Sequence, residues 1–167
     1  MTDHTSSGLL HAFALLSKAA ARKKIYSLKA KKDGRKNASL LLRALADSEA
    51  AQSRRLLSLS RGNIDNSDQF LASVFEKEIP EICSNYQKLT EAAETAGLTS
   101  LLFSIRQLHN AEKSMLRFYD DTNRDITLDE TKSCFVCQFC GYIAPDHAPE
   151  NCPICGAKQQ AFKEINE

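Results

Sequence analysis

Two pairs of cysteines near the C-terminus constrain this chain more than any other feature. Each pair has the form C-x-x-C, eleven residues separate the pairs, and a glycine follows the second cysteine of each. A C-x-x-C turn presents two thiolates from one loop, and the glycine permits the positive φ that such a turn needs. The sequence therefore predicts one tetrahedral metal site. Its ligands are Cys137, Cys140, Cys152 and Cys155.

The spacing leaves the identity of the ion open, because zinc and a single iron both accept four thiolates in a tetrahedron. We interpret Cys83 as a small apolar residue on a helix, and Cys134 as a bystander outside the C-x-x-C spacing. His147, between the two pairs, is interpreted as a loop residue rather than a ligand. Cysteines clustered at metal spacing favour a reducing compartment, so we expect a cytoplasmic protein.

The rest of the chain is predicted to be helical. Its 167 residues provide room for one ordinary domain and a small appendage. Apolar residues recur at helical spacing in four segments before residue 121, with breaks at 33–34, 61–63 and 96–97. We predict an all-α four-helix bundle at 1–121, a polar linker at 122–132 and the cysteine module at 133–167. Pro80 lies inside the third helix and is expected to bend it.

Charge is distributed unevenly along the chain. Residues 1–63 contain 13 basic and 4 acidic residues, a formal excess of +9, whereas residues 64–167 contain 9 basic and 17 acidic residues, an excess of −8. The two parts are therefore expected to attract each other. The basic part has little aromatic interleaving, which disfavours nucleic acid as a partner. No stretch is long and apolar enough to span a bilayer, and we recognise no signal peptide, so no membrane association is expected.

A helical body followed by this cysteine module resembles the rubrerythrin family over nearly the whole chain. The resemblance is carried by Phe-Cys-Gly-Tyr at 139–142, by Ala-Pro-Glu-Asn-Cys-Pro-Ile-Cys at 148–155, and by Phe162. It implies a ferritin-like bundle and a rubredoxin-like module in which four cysteines hold iron. In that family the iron passes electrons to a di-iron site in the bundle, which reduces hydrogen peroxide.

The di-iron ligands of the family are only partly present here. Bundle di-iron sites use carboxylates and E-x-x-H pairs, because residues i and i+3 project from one helix face. Three ligand positions carry Leu16, Gln52 and Met115 in place of a glutamate and two histidines. We therefore predict that the usual di-iron centre does not form. Four glutamates match the family pattern and define a possible residual bundle site: Glu49, Glu78, Glu81 and Glu112.

Two residues offer substitutes for what the bundle site has lost. His109 precedes Glu112 by three residues, so the two share a helix face and the imidazole could replace a lost one. Lys23 lies one heptad after Leu16, and its ammonium could pair with the carboxylates instead of iron. The alternative is that the glutamates face solvent or pair with surface lysines and arginines.

The connection between the second and third helices is short for a ferritin-like bundle. The helices rise about 18 Å from Glu49 to Arg61 and about 17 Å from Ser67 to Glu78, so the link must cover about 35 Å. Residues 62–66 reach only about 17 to 20 Å when extended. Fraying of the helix ends could close the gap, as could exchange of hairpins between two chains. We predict a homodimer, in which the hairpins are either exchanged or not.

Two functional hypotheses follow. In the first, the chain is a rubrerythrin-like non-haem iron protein that transfers electrons through a Fe(SCys)4 centre to or from a redox partner protein, with peroxide-reductase ancestry. In the second, the cysteines hold zinc, and the chain is a non-catalytic structural or binding protein with a metal-free bundle. Colour separates the two, because a four-thiolate iron site is coloured and a zinc site is not.

Overall fold

In a computed structural model of the chain, residues 3–61, 66–129 and 131–166 are described. Contacts divide the chain into two compact units, residues 1–65 and 66–167. The first unit is a helical hairpin, and the second contains another helical hairpin, a two-stranded ribbon and a three-stranded sheet. Four long helical segments followed by a small cysteine module confirm the predicted fold class. The predicted boundaries at 121 and 133 stay predictions, and the connection at 62–65 lies outside the described residues.

Two long helices form the first unit: α1 spans Asp3–Lys32 and α2 spans Lys36–Arg61. They are joined by a tight turn in which Gly34 has φ 74° and donates its N–H to the Lys31 carbonyl at 3.1 Å. The predicted break at 33–34 is confirmed. Across the hairpin, the Ser39 hydroxyl donates to the Ser27 carbonyl at 2.9 Å. The helices approach closely because small residues line their contact, as at Ala20 and Ala46.

The third helical segment is continuous but changes its winding. It comprises α3 (Ser67–Ser73), a π-helical turn (Val74–Glu78) and α4 (Ile79–Thr95). The Ile79 N–H donates to the Val74 carbonyl, five residues back. Pro80 follows at once and has no N–H to donate, so a wider turn precedes it. Where the sequence predicted a bend at Pro80, the structure shows this π-helical turn.

Helix α5 spans Thr99–Met115 and pairs with α4 across the predicted break, where Gly97 has φ 66°. A short 3-10 turn leads into a ribbon of β1 (Tyr119–Asp120) and β2 (Asp125–Ile126). The ribbon is anchored on the third helical segment. The Tyr119 ring stacks on Phe75 with centroids 4.9 Å apart, and Arg124 pairs with Glu76 at 3.2 Å. Part of the predicted linker is therefore folded structure.

The cysteine module is built on a small antiparallel sheet. Its strands are β3 (Cys134–Cys137), β4 (Ile143–Pro145) and β5 (Phe162–Ile165), in the order β4-β3-β5. Cys137 ends β3 opposite Phe162 of β5. This register sets the first ligand at the end of the central strand.

Among the described helices, none has the length and apolar character needed to cross a membrane.

Candidate metal centre

The first cysteine pair lies in a turn fixed by backbone hydrogen bonds. The Gly141 N–H donates to the Cys137 carbonyl at 2.9 Å, and the Cys137 N–H donates to the Tyr142 carbonyl at 2.9 Å. Gly141 has φ 84°, in the left-handed region that glycine adopts without strain. The turn therefore brings Cys137 and Cys140 to one side of the loop.

The second pair repeats this pattern. The Gly156 N–H donates to the Cys152 carbonyl at 2.9 Å, the Cys152 N–H donates to the Ala157 carbonyl at 2.8 Å, and Gly156 has φ 74°. The two turns thus have the same hydrogen bonds at the same positions. The role predicted for both glycines, a positive φ directly after the second cysteine, is confirmed.

The structure brings all four predicted ligands together. Their Sγ atoms all lie within 4.8 Å of one another. The Cys137–Cys155 separation is 3.7 Å and the Cys140–Cys152 separation is 3.6 Å. A tetrahedron with metal–sulfur bonds of about 2.3 Å has edges of about 3.8 Å, whereas a disulfide requires about 2.05 Å. The sulfurs are therefore spaced for a four-coordinate ion and not for disulfides.

Two of the thiols, Cys140 and Cys155, resist ionisation when no cation is present. Burial raises the pKa of Cys140 well above its ordinary value of 9.0, against a lowering by the Tyr142 N–H, and the neighbouring thiols raise it further. Burial also raises the pKa of Cys155. Burial also tends to raise the pKa of Cys152. Hydrogen bonds from the N–H groups of Cys155 and Ile154 outweigh this effect and bring its pKa below 9.0. An ion that binds here must therefore displace the protons of Cys140 and Cys155.

A residue of helix α5 closes one side of the site. Ala111 is 1% exposed and forms one buried cluster with Cys137, Cys140 and Cys152. No sequence pattern predicted this contact, because an alanine on a helix has no distinguishing feature. Further packing comes from partly buried side chains of the module: Tyr142, Ile154, Ala157 and Phe162.

Arg117 ties the end of the helical segment to the module. Its guanidinium lies 4.6 Å from the Phe118 ring centroid and 4.9 Å from that of Tyr142, and it donates to the Ile143 carbonyl. Tyr142 in turn accepts the hydrogen bond from Cys137. Cation–π contacts of this kind contribute about 0.5–1 kcal/mol each at exposed sites. The helix and the cysteine site are therefore connected through a side chain as well as through Ala111.

Comparison with known proteins agrees with this geometry. Residues 135–163 match the rubrerythrin rubredoxin-like domain family. The chain is also similar to rubrerythrin-1 of Clostridium acetobutylicum, at 26% identity over 186 residues that cover 98% of this chain and 95% of that protein. The C-terminal module therefore belongs to the rubrerythrin rubredoxin-like domain family, and the chain as a whole is similar to rubrerythrins. Rubrerythrin-2 of the same organism is 24% identical over 178 residues, covering 95% of each protein.

Solved structures of nigerythrin share the fold. In the mixed-valence, partially reduced and fully reduced all-ferrous states, each is 22% identical to this chain with a TM-score of 0.50, and covers 96% of this chain and 86% of its own. The match to the rubredoxin-like domain and the four-cysteine site together support iron binding at these cysteines.

The remaining cysteines and His147 lie apart from the rubrerythrin-type site. Cys134 begins β3 opposite Pro145 and Ile165, and belongs to no group of ligands among the described residues. Cys83 is partly buried on α4. His147 is exposed, with its Nδ1 3.6 Å from the Asp146 carboxylate. None of the three joins the four sulfurs.

The glutamates of the possible residual bundle site have different surroundings. Glu49, in the first unit, is partly buried and paired with Lys23. In the second unit, Glu78 is partly buried in the π-helical turn, Glu81 is exposed, and Glu112 is partly buried. Burial raises the pKa of Glu112. Within residues 3–61, 66–129 and 131–166, the four cysteines are the one group of three or more Cys, His, Asp or Glu side chains close enough to hold an ion.

The positions that depart from the rubrerythrin ligand pattern lie on the helices as predicted. Leu16 on α1 and Met115 on α5 are partly buried, and Gln52 on α2 is exposed, with its amide 3.3 Å from the Ser48 hydroxyl. His109 stacks on Tyr86 with centroids 6.2 Å apart. The prediction that this chain lacks the usual di-iron centre stays a prediction.

Proposed function

We propose that this protein is an electron carrier of the rubrerythrin family that works through a single iron at the four-cysteine site. The observation that carries the proposal is the sulfur cage, in which the two measured Sγ separations are 3.6 and 3.7 Å. When bound, iron would supply reversible one-electron chemistry. Reduction of peroxide at a second metal site is not part of the proposal, because histidine ligands are missing at Gln52 and Met115.

The protein's own contribution is to fix the cage and to stabilise its charge. Two backbone turns with matching hydrogen bonds set the thiolate positions before any ion binds. Peptide N–H groups of Tyr142 and Ala157 lower the pKa of Cys140 and Cys155 by hydrogen bonding, so they favour the anionic sulfurs. Hydrogen bonds to sulfur are one of the levers that set the potential of such centres. Three of the four cysteines are buried, so the cage also excludes much of the water from a bound ion.

One exposed aromatic residue marks where a redox partner would approach. Phe139 stands beside Cys140 in the first turn and is 70% exposed. An apolar side chain in that position favours transient contact with another protein, since it gains by losing water on docking. We propose that the redox partner protein contacts this turn.

Spectroscopy and metal analysis test the proposal. Protein purified from a culture supplied with iron should be red, should bleach with dithionite, and should regain its colour in air. Analysis should return one iron per chain at the four cysteines. Colourless protein that holds one zinc per chain and takes no iron into the cage under reducing conditions would overturn it in favour of the structural zinc protein.

We also propose that the protein is a homodimer. Both units leave large apolar side chains exposed, as at Leu41, Leu45 and Leu59 on α2 and at Leu89 and Phe103 on α4 and α5. The opposite charges of residues 1–63 and 64–167 favour pairing of one chain's basic hairpin with another chain's acidic hairpin. Sedimentation equilibrium should give twice the mass of 18.6 kDa, with weaker association at high salt. A monomer at micromolar concentration would contradict this proposal.

A further inference from the structure

The contact between α1 and α2 follows a heptad pattern in which half of the residues are alanine or serine. Its positions are spaced alternately by three and four residues, and all are buried or partly buried. On α1 they are Phe13, Leu16, Ala20, Lys23, Ser27 and Ala30; on α2 they are Ser39, Leu42, Ala46, Glu49, Ser53 and Leu56. We call these rows the seam. Only Lys23 and Glu49 in the seam carry a charge.

These two charged residues are paired. Lys23 Nζ lies 2.5 Å from Glu49 Oε1, with side-chain exposures of 27% and 21%. The pair between α4 and α5, Arg106–Glu94, is far more exposed, at 58% and 48%. Small seam neighbours such as Ala20 and Ala46 leave room for the long lysine side chain. The second carboxylate oxygen of Glu49 is buried and accepts no hydrogen bond from the described residues.

A carboxylate in this position needs a cation. The Glu49 side chain is 21% exposed, and one of its oxygens is buried with no hydrogen-bond donor among the described residues. Removing a carboxylate from water without a partner costs several kcal/mol or forces it to take up a proton. The Lys23 ammonium satisfies that need within the hairpin.

The first hairpin does not fit a bundle metal. Glu49 is the one carboxylate of the seam, Leu16 offers no ligand atom, and Gln52 is exposed and turned to Ser48. An ammonium has three donors and no lone pair, so it repels a metal ion at the position it occupies. Nothing else in the seam supplies an anionic ligand.

We propose that Lys23 replaces the metal: its ammonium is the permanent counter-ion of Glu49, and the first hairpin contributes no ligand to a bundle iron site. The ion pair holds the hairpin together without metal. This inference does not depend on which ion the cysteine module binds, so it stands or falls separately from the proposed electron transfer.

Metal counting with the full-length chain is the first test. Wild-type protein and Glu49→Gln are loaded anaerobically with Fe(II), or separately with Zn(II), then desalted and analysed for metal per chain. The two proteins should hold equal amounts, since Glu49 binds no metal. Glu49→Gln holding at least half an equivalent less than wild type, while its cysteine-site absorption is unchanged, would overturn the proposal.

A double-mutant cycle tests the pairing itself. Lys23→Met and Glu49→Met should each lower the folding equilibrium constant by roughly tenfold or more, because each leaves a partly buried charge without its partner. The double variant, with two apolar residues of similar length, should recover most of that loss. Denaturant titration monitored by circular dichroism measures all four proteins.

The exposed pair supplies the matched control. Arg106→Met, Glu94→Met and their double variant should show coupling below about twofold, because that pair is solvated. If the coupling between Lys23→Met and Glu49→Met is also below about twofold, the ammonium is not the counter-ion of Glu49 and the proposal is wrong. If a single variant fails to fold but the double variant folds, the proposal is supported. The single variant keeps one unpaired charge, and the double variant has none.

Discussion

The cysteine module and the first helical hairpin both enclose anionic groups, and they neutralise them differently. The module gathers four sulfurs within 4.8 Å of one another, and as thiolates they need a metal ion to balance their charge. The hairpin holds one carboxylate and supplies its own cation, Lys23, at 2.5 Å. The comparison teaches that the number of converging anionic ligands decides between the two solutions. One lysine can balance one carboxylate, but four thiolates require a multivalent ion.

Removing one ligand should break the module and leave the hairpin intact. Cys140→Ser replaces a thiolate with a hydroxyl, a poor ligand for this kind of site. Because even outer-shell changes cost 10–100-fold in affinity, the loss of a direct ligand should exceed about a hundredfold. Iron content and the visible spectrum should both be lost. Cys134→Ser, at the start of β3 and outside the ligand group, is the control and should keep both.

Acid should release the ion from the module. Burial raises the pKa of Cys140 and Cys155, so both thiols are protonated at neutral pH when no ion is bound. Metal binding must displace those protons, and its affinity should fall about tenfold per pH unit for each proton displaced as the solution is acidified. Equilibrium dialysis at several pH values measures the slope. A pH-independent affinity between pH 6 and 8 would contradict this account.

The local parts of this architecture could be predicted, whereas the long-range contacts could not. The ligands and their glycines were predictable because a four-residue turn fixes its own geometry, as Gly141 and Gly156 show. Helical periodicity likewise located both hairpins. The packing of Ala111 on the sulfurs depends on tertiary structure and leaves no trace in the sequence pattern.

Two further features could be predicted only in part. The Lys23–Glu49 pair joins residues 26 apart in sequence, yet heptad spacing from Leu16 was enough to raise it as a hypothesis. The π-helical turn before Pro80 was expected only as a bend, because proline predicts a disturbance of the helix without specifying how the chain absorbs it.

Enlarging Ala111 should disturb the module from the helix side. The residue is 1% exposed against three metal ligands, so Ala111→Leu must push the helix or the sulfurs aside. Overpacking of this kind costs about 1–3 kcal/mol. We expect a lower melting temperature and a shifted visible band in the iron-loaded protein. Asn110→Leu, at an exposed neighbouring position, should change neither.

Neutralising Glu112 should have the smallest effect, and its sign is informative. Burial raises the pKa of Glu112 above 4.5, so the folded state binds that proton more tightly than the unfolded state does. Stability associated with this group is therefore lost as pH rises through the folded pKa, and the cost remains at pH 7.

Glu112→Gln removes that cost, so it should stabilise the protein slightly at pH 7 and have almost no effect near pH 4. The gain should stay below about 1 kcal/mol, because much of the carboxylate is in water. A second readout is Cys83, whose pKa is raised by burial and then by the Glu112 charge, so its alkylation should be faster in Glu112→Gln. If Glu112 instead ligates a bundle metal, the same substitution should lower both the melting temperature and the metal content. That result would make the second hairpin resemble the cysteine module, and only the first hairpin would balance its charge with a side chain.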